Sequence, residues 1–248
     1  MKQFLILWLI CLVGFSQTNS SFEQANELYN SGYYKEAIEQ YSSILDSNLH
    51  SAELYYNLAN CHYKLNEIAP SIFYYEKALQ LAPNDTDVLN NLSFAQKMTI
   101  DAIQEIPENG FSKLFNKTIN SLSLDDWAIS CVGLVFLFVL LFLSYYLSSS
   151  EAKKRLFFVS SSLVLILLVS SLGLLFKKDN IEASLRPAIV FAKETEVKAE
   201  PNLRAETSFT LHEGTKVQII EDYNLDWSKI KLRNGETGWV TKAVLRNL

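Results

Sequence analysis

The amino-acid sequence predicts a multidomain membrane protein with an all-α repeat array, a two-helix transmembrane hairpin and an all-β small barrel, in that order. Three observations carry this. Two apolar runs, Trp127 to Leu147 and Phe157 to Phe176, each hold about 20 residues without a charged side chain, enough to cross roughly 30 Å of hydrocarbon at ~1.5 Å per residue. Before them, a dense helical pattern recurs at a spacing of about 34 residues. After them, apolar residues stand two apart between turns rich in glycine and asparagine.

The two runs lack the polar face of a helix that meets water, so they read as transmembrane helices over 127–147 and 157–176. The link between them, 148–156, carries Lys153, Lys154 and Arg155 against Glu151. Short loops rich in Lys and Arg stay cytoplasmic, although Lys177 and Lys178 pull the other way. The N-terminus supports the same orientation. Met1-Lys2-Gln3, the apolar stretch Phe4 to Phe15, and the polar tail from Ser16 read as a signal peptide over 1–16, an uncleaved anchor being the alternative. A hairpin returns the chain to its starting side, so both soluble parts are expected outside the inner membrane, in the periplasm. No charged residue lies inside either run, so transport is not expected. Ser144, Ser160 to Ser162, Ser170 and Ser171 are candidates for bonds between the helices.

Of 248 residues, 49% are hydrophobic and the net charge is -5. That charge argues against nucleic acid as a partner. The three cysteines, Cys11, Cys61 and Cys131, lie far apart and build neither a disulfide framework nor a metal site.

The stretch from Ser51 to Asp85 places Tyr55, Leu58, Ala59, His62, Tyr75, Ala78 and Pro83 at the spacing of a helix-turn-helix repeat of about 34 residues. It resembles a tetratricopeptide repeat over 52–85. A step back by one repeat length finds a second copy over 18–51, with Ala25, Leu28, Ala37, Tyr41 and Leu45 in register and Gly32 in the turn. His62 and Ser71 depart from the pattern. From Thr86 a single helix is expected to run on to about Glu105 as a capping helix (86–106).

Arrays of this type bind peptides on the concave face formed by the first helix of each repeat. Here that face should carry Phe22, Asn26, Tyr29 and Asn30, then Glu53, Tyr56, Asn57, Asn60, Tyr63 and Lys64. Asn26 and Asn57 fall where carboxylate-clamp members of the family place asparagine. The clamp's cationic positions read Phe22, Asp87 and Asn91, so a C-terminal carboxylate lacks its charge-assisted bonds. An aromatic, amide-rich groove for an internal segment of a partner is expected; the alternative is that the tyrosines pack between helices.

Pro107 to Gly110 should break the capping helix. An amphipathic stalk follows over 107–126, with Phe111, Leu114, Phe115, Ile119 and Leu122 on one face and Lys113 and Lys117 among the polar residues. It either lies on the membrane surface or folds back on the repeats. Ser123 to Asp126 has the form of a capping box before Trp127.

A linker over 177–188 leads to the last module, 189–248. Alternation at Phe209 and Leu211, Val217 and Ile219, and Ile230 and Leu232, with turns at Gly214, Tyr223 to Asp226 and Asn234-Gly235, predicts four or five short strands. Gly214, the strand Trp227 to Leu232 and Gly238-Trp239-Val240 resemble a bacterial SH3-type domain, whose members bind cell-wall peptides or proteins. Alternation puts Trp227 on the outer face beside Tyr223 as a ligand patch, and Trp239 is expected in the core.

The order of modules, with strings such as SAELYYNLANCHYKLNEIAPSIFYYEKAL and NNLSFAQKMTIDAI, resembles the BatE-type repeat proteins of Bacteroides aerotolerance operons. That resemblance implies work beside von Willebrand factor A-type membrane proteins and, indirectly, a MoxR-type ATPase, in aerotolerance or envelope stress. His50, His62 and His212 are scattered, and no nucleophile setting or phosphate loop is present. The expectation is a non-enzymatic scaffold without catalytic residues, cofactor or metal. The alternative is a cell-wall-binding sensor acting on peptidoglycan through the SH3-type module. The scaffold reading predicts that partner capture by the repeats survives deletion of Ile189 to Leu248.

Overall fold

The structure, a computed structural model, describes residues 21–103 and 110–248. The leader expected at 1–16 and the break expected at Pro107 to Asn109 lie outside the described residues. The chain forms two units, one of Met1–Glu105 with Arg186–Leu248 and one of Ile106–Leu185.

The first unit opens with α1 over 21–30, then α2 (Tyr34–Asp46), α3 (Ala52–Lys64), α4 (Ile68–Leu81) and α5 (Thr86–Gln96). Local chemistry sets these limits. The Ser51 hydroxyl accepts the Leu54 amide at 3.1 Å to cap α3, and the Asp85 carboxylate accepts the amides of Asp87 and Val88 at 2.9 and 3.2 Å to open α5. The turns between paired helices use Gly32 (φ +82°) and Asn66 (φ +58°), which occupy equivalent positions in the two repeats. Glycine and asparagine take this left-handed conformation at least cost.

Small residues let the helices approach, and Ala25, Ala37, Ala59 and Ala78 are fully buried beside Tyr41 and Tyr75. Ser71 is also buried, and its hydroxyl has no hydrogen-bond partner among the described residues. Such a group costs about 1–3 kcal/mol, which the alanine usual at this position avoids.

The capping helix is shorter than expected. It ends at Gln96, and Thr99 to Ile103 continue without helix. The reason lies in the C-terminal module: the Asp101 carboxylate accepts hydrogen bonds from the His212 amide (2.7 Å) and the Thr215 hydroxyl (2.6 Å) and bonds the His212 ring at 2.7 Å. Ile103 packs against the core of the sheet. A helix continued through 101 could not deliver these groups.

That sheet has seven antiparallel strands: β1 (Pro187–Val190), β2 (Glu194–Lys198), β3 (Thr207–His212), β4 (Lys216–Tyr223), β5 (Trp227–Lys231), β6 (Thr237–Thr241) and β7 (Leu245–Asn247). Their order is β3-β2-β6-β5-β4-β1-β7. The turns anticipated at Gly214, Asn224 and Gly235 all have positive φ. Two expectations are corrected. There are seven strands rather than four or five, and the barrel does not close, since β3 and β7 remain edges.

The open form has a physical reason in β1, which has two buried faces. Ala188 and Val190 join the sheet core with Val197, Leu211, Ile230 and Val240, whereas Ile189 joins the core of the repeats with Ala69, Ile72 and Tyr75. Phe191 and Leu248 pack on that same helical cluster, and the Phe73 and Phe191 rings meet edge to face at 5.7 Å. At Gly214 a Cβ would lie 2.9–3.0 Å from Ile68, Ile72 and Thr99, so the turn fits against α4 only as glycine. An ion pair from Lys216 to Glu76 at 2.6 Å completes the contact.

The register of the repeat explains why α4 offers this surface. Ile68 and Ile72 correspond to Tyr34 and Ile38 of α2, which pack in one cluster with Tyr74 of the next second helix. Among the described residues no second helix of a further repeat packs on Ile68 and Ile72, and the C-terminal sheet covers them instead. Burial pushes the Asp101 carboxyl up, but bonds from the Thr215 hydroxyl and from the amide and ring of His212 outweigh it and hold the carboxyl below its usual range.

The second unit contains α6 (Gly110–Ile119), α7 (Leu124–Leu147) and α8 (Glu151–Ser184). The capping box at Ser123 and Asp126 is formed. The buried Trp127 donates its indole N–H to the Ile119 carbonyl at 3.1 Å, fixing the end of α6 to the start of α7, and α6 belongs to one unit with α7 and α8. Both α7 and α8 are long and apolar enough to cross a membrane. The link between them narrows to Ser148–Ser150, because Lys153 to Arg155 already lie in α8, and the linker expected at 177–188 is helical to Ser184. Ser144, Ser161 and Ser162 bond carbonyls of their own helices, at Leu140 and Phe158, rather than the opposite helix. This back-bonding is the nearest way to satisfy a hydroxyl in an apolar helix.

Candidate functional site

The first helices α1, α3 and α5 carry a ladder of amides with the period of the repeat. The Tyr41 hydroxyl and the Asn57 amide (3.0 Å) both donate to Asn26 Oδ1. The Tyr75 hydroxyl and the Asn91 amide (3.1 Å) donate in the same way to Asn60 Oδ1. Each triad is the other shifted by one repeat length. At the next shift Asn60 becomes Phe94, and the ladder stops.

These bonds give the predicted asparagines a structural role. Asn26, Asn57 and Asn60 tie each second helix to its own and the following first helix, so the clamp-like position of Asn26 and Asn57 serves internal cohesion. Burial raises the hydroxyl pKa of Tyr41 and Tyr75 above the ordinary phenol value, which keeps both as donors. The Cys61 thiol is pushed up to about 12 by burial, which removes it as a nucleophile. Burial also lowers the His62 pKa, and its ring stacks on Tyr74 at 5.4 Å.

The remaining predicted residues divide. Tyr29, Tyr56, Asn60, Tyr63 and Lys64 line one cavity of about 190 Å³, joined by Tyr75, Asn91 and Phe94. Asn91 donates to the Tyr56 hydroxyl at 2.9 Å. Phe22 and Glu53 line a separate depression with His50 and Leu49, and the Phe22 ring packs on Tyr41 at 5.7 Å. Asn30 is exposed and lines neither. Packing and groove formation are therefore shared among the tyrosines: Tyr41 and Tyr75 are core, while Tyr29, Tyr56 and Tyr63 face the cavity. Sequence reasoning missed Asn91 and Phe94 as lining residues, though both are one repeat beyond predicted ones.

On the sheet, Tyr223 pairs with Trp227 across the β4–β5 hairpin. Tyr223 is 46% exposed and meets the Trp239 ring edge to face at 5.9 Å. Lys229 lies over Trp239 at 5.7 Å. Trp239 was expected in the core and is buried, 9% exposed, although Val240 and not Trp239 joins the cluster at the centre of the sheet. Alternation turns Trp239 to the outer face, where Tyr223 and Lys229 cover it. The outer patch thus gains Lys229, with the buried Trp239 as its base. Among the described residues no group of three or more His, Cys, Asp or Glu could hold a metal.

Comparison with known proteins matches two segments. Residues 52–85 match the tetratricopeptide repeat family, and residues 193–246 match the bacterial SH3 domain family. These matches support the domain composition read from the sequence. Over 53 residues, 21% of the chain, the sequence is 36% identical to the cell wall-binding protein YwsB of Bacillus subtilis (strain 168). The chain covers 30% of that protein, so the likeness concerns less than a third of its length.

Proposed function

We propose that the chain is a non-enzymatic, membrane-tethered scaffold of the bacterial envelope whose repeats receive an extended segment of a protein partner. The observation that carries this is the aromatic cavity lined by residues of α1, α3, α4 and α5, to which the SH3-type domain contributes no lining residue. Its walls offer ring faces and amide groups and one cation, Lys64, a surface suited to an internal peptide rather than to a terminal carboxylate. In this reading α7 and α8 form a two-pass anchor in the inner membrane, and both soluble modules face the periplasm. The BatE-type resemblance extends the reading to von Willebrand factor A-type membrane proteins as partners, a MoxR-type ATPase as an indirect one, and aerotolerance as the setting.

The test is crosslinked capture from native membranes with the full chain. Tyr63→Ala and Tyr56→Ala should each lower recovery of the principal partner by about tenfold, the value of ~1.4 kcal/mol of lost contact, while the chain stays folded. Unchanged recovery at unchanged stability would remove the groove from the account.

A second reading is supported by the resemblance to a cell wall-binding protein. It assigns peptidoglycan to the outer patch of Tyr223 and Trp227. In that case the full chain sediments with purified peptidoglycan, and Trp227→Ala, not Tyr63→Ala, releases it.

A further inference from the structure

A second polar site lies on the SH3-type domain, apart from both the groove and the aromatic patch. A cavity of about 370 Å³ is lined by Arg186, Asp222, Ser228, Lys242 and Arg246 over an apolar floor that includes Ile219. Asp222 anchors it. Its carboxylate accepts the Ser228 hydroxyl at 2.7 Å and pairs with Arg186 at 2.6 Å and Lys242 at 3.4 Å.

The charges do not cancel. Three cations and one carboxylate line the cavity, so three minus one leaves two positive charges, in a chain whose net charge is -5. Lys242 and Arg246 are also held in place by other groups. Lys242 donates to the Asn224 carbonyl at 3.0 Å, and Arg246 donates to the Leu245 carbonyl at 3.1 Å while its guanidinium lies 5.6 Å from the Phe191 ring centre. Positioned cations lose little conformational freedom on binding, and a concave, partly apolar setting strengthens their attraction for an anion.

We infer that this cavity is a binding site for a small oxyanion, a phosphate or carboxylate group bridged by Arg186, Lys242 and Arg246. Asp222 is the internal competitor for those cations. Hydrogen bonding from Ser228, then from Arg186 and Lys242, pulls its carboxyl down to about 2, so at neutral pH it stays charged and limits affinity to the order of millimolar.

The test uses the full chain in detergent, titrated with inorganic phosphate at constant ionic strength and followed by backbone amide shifts at Ser228, Lys242 and Arg246. A saturable shift is expected. Arg246→Gln should weaken it by about tenfold, and Asp222→Asn should tighten it by about tenfold, because the mutation removes the competing charge and keeps the Ser228 contact. The absence of saturation in both the native chain and Asp222→Asn would overturn the proposal, as would equal binding by a folded Arg246→Gln. If Asp222→Asn fails to fold, the native chain and Arg246→Gln decide alone. In nanodiscs, free phosphate excluded by phosphatidylglycerol but not by phosphatidylcholine would assign the oxyanion to a lipid headgroup. Equal binding in both would assign it to a soluble anion. Either result supports the site.

Discussion

A chain that ends after Leu185 should lose the fold of its second repeat. The deletion uncovers Ile68, Ile72 and Phe73, which lie against Gly214, Ile189 and Phe191 in the full chain. At about 1.5–3 kcal/mol for each large apolar side chain, their exposure removes several kcal/mol from a unit of marginal stability, ~5–15 kcal/mol in ordinary domains. Asp101 and Glu76 also lose the partners that hold Thr99 to Ile103 and α4 against the sheet. The helical melt of the truncated protein should fall by about 10 °C or more. An unchanged midpoint would mean that the contact contributes little. Partner capture that survives removal of Ile189 to Leu248, as expected from the sequence, is therefore no longer the predicted outcome.

The second large effect is expected at one side chain. Ile189 is fully buried among residues of the repeats, while its neighbours Ala188 and Val190 face the sheet core. Ile189→Asp places a carboxylate against Ala69 and Ile72 without touching the sheet's own packing. An unpaired buried charge costs roughly 3–5 kcal/mol, whereas Ile189→Val removes one methyl group for about 0.5–1.5 kcal/mol. Denaturant unfolding of the two variants should differ by ~2 kcal/mol or more. Equal losses would show that position 189 is not packed as described.

Much of this unit was legible along the chain because its rules are local. Ala25 and Ala59, Gly32 and Asn66, and Tyr41 and Tyr75 each stand one repeat length apart because each pair solves the same packing problem twice. Gly214, Asn224 and Gly235 mark turns because each takes positive φ. The docking was not legible. Asp101 meets His212 across 111 residues and Glu76 meets Lys216 across 140, and no periodicity links such positions. Ile189 reads as an ordinary strand residue, because alternation says which side chains share a face and not what covers it. Trp239 was legible as buried, but what covers it, Tyr223 and Lys229 rather than the centre of the sheet, was not. The groove was half legible. Tyr29, Tyr56 and Tyr63 were found by type and register, but the bonding of the asparagines to one another appears only once adjacent repeats are in contact.

Hydrogen exchange on the full chain tests most directly the central claim, that the repeats and the SH3-type domain form one body. Amides of α4, Ile68–Leu81, and of β1, Pro187–Val190, should open with free energies within about 1 kcal/mol of each other, as parts of one cooperative unit. In Ile189→Asp both sets should lose protection, while β5 and β6 keep theirs. If α4 keeps its protection in that variant, or opens independently of β1 in the native chain, the two modules are separate and the account is wrong.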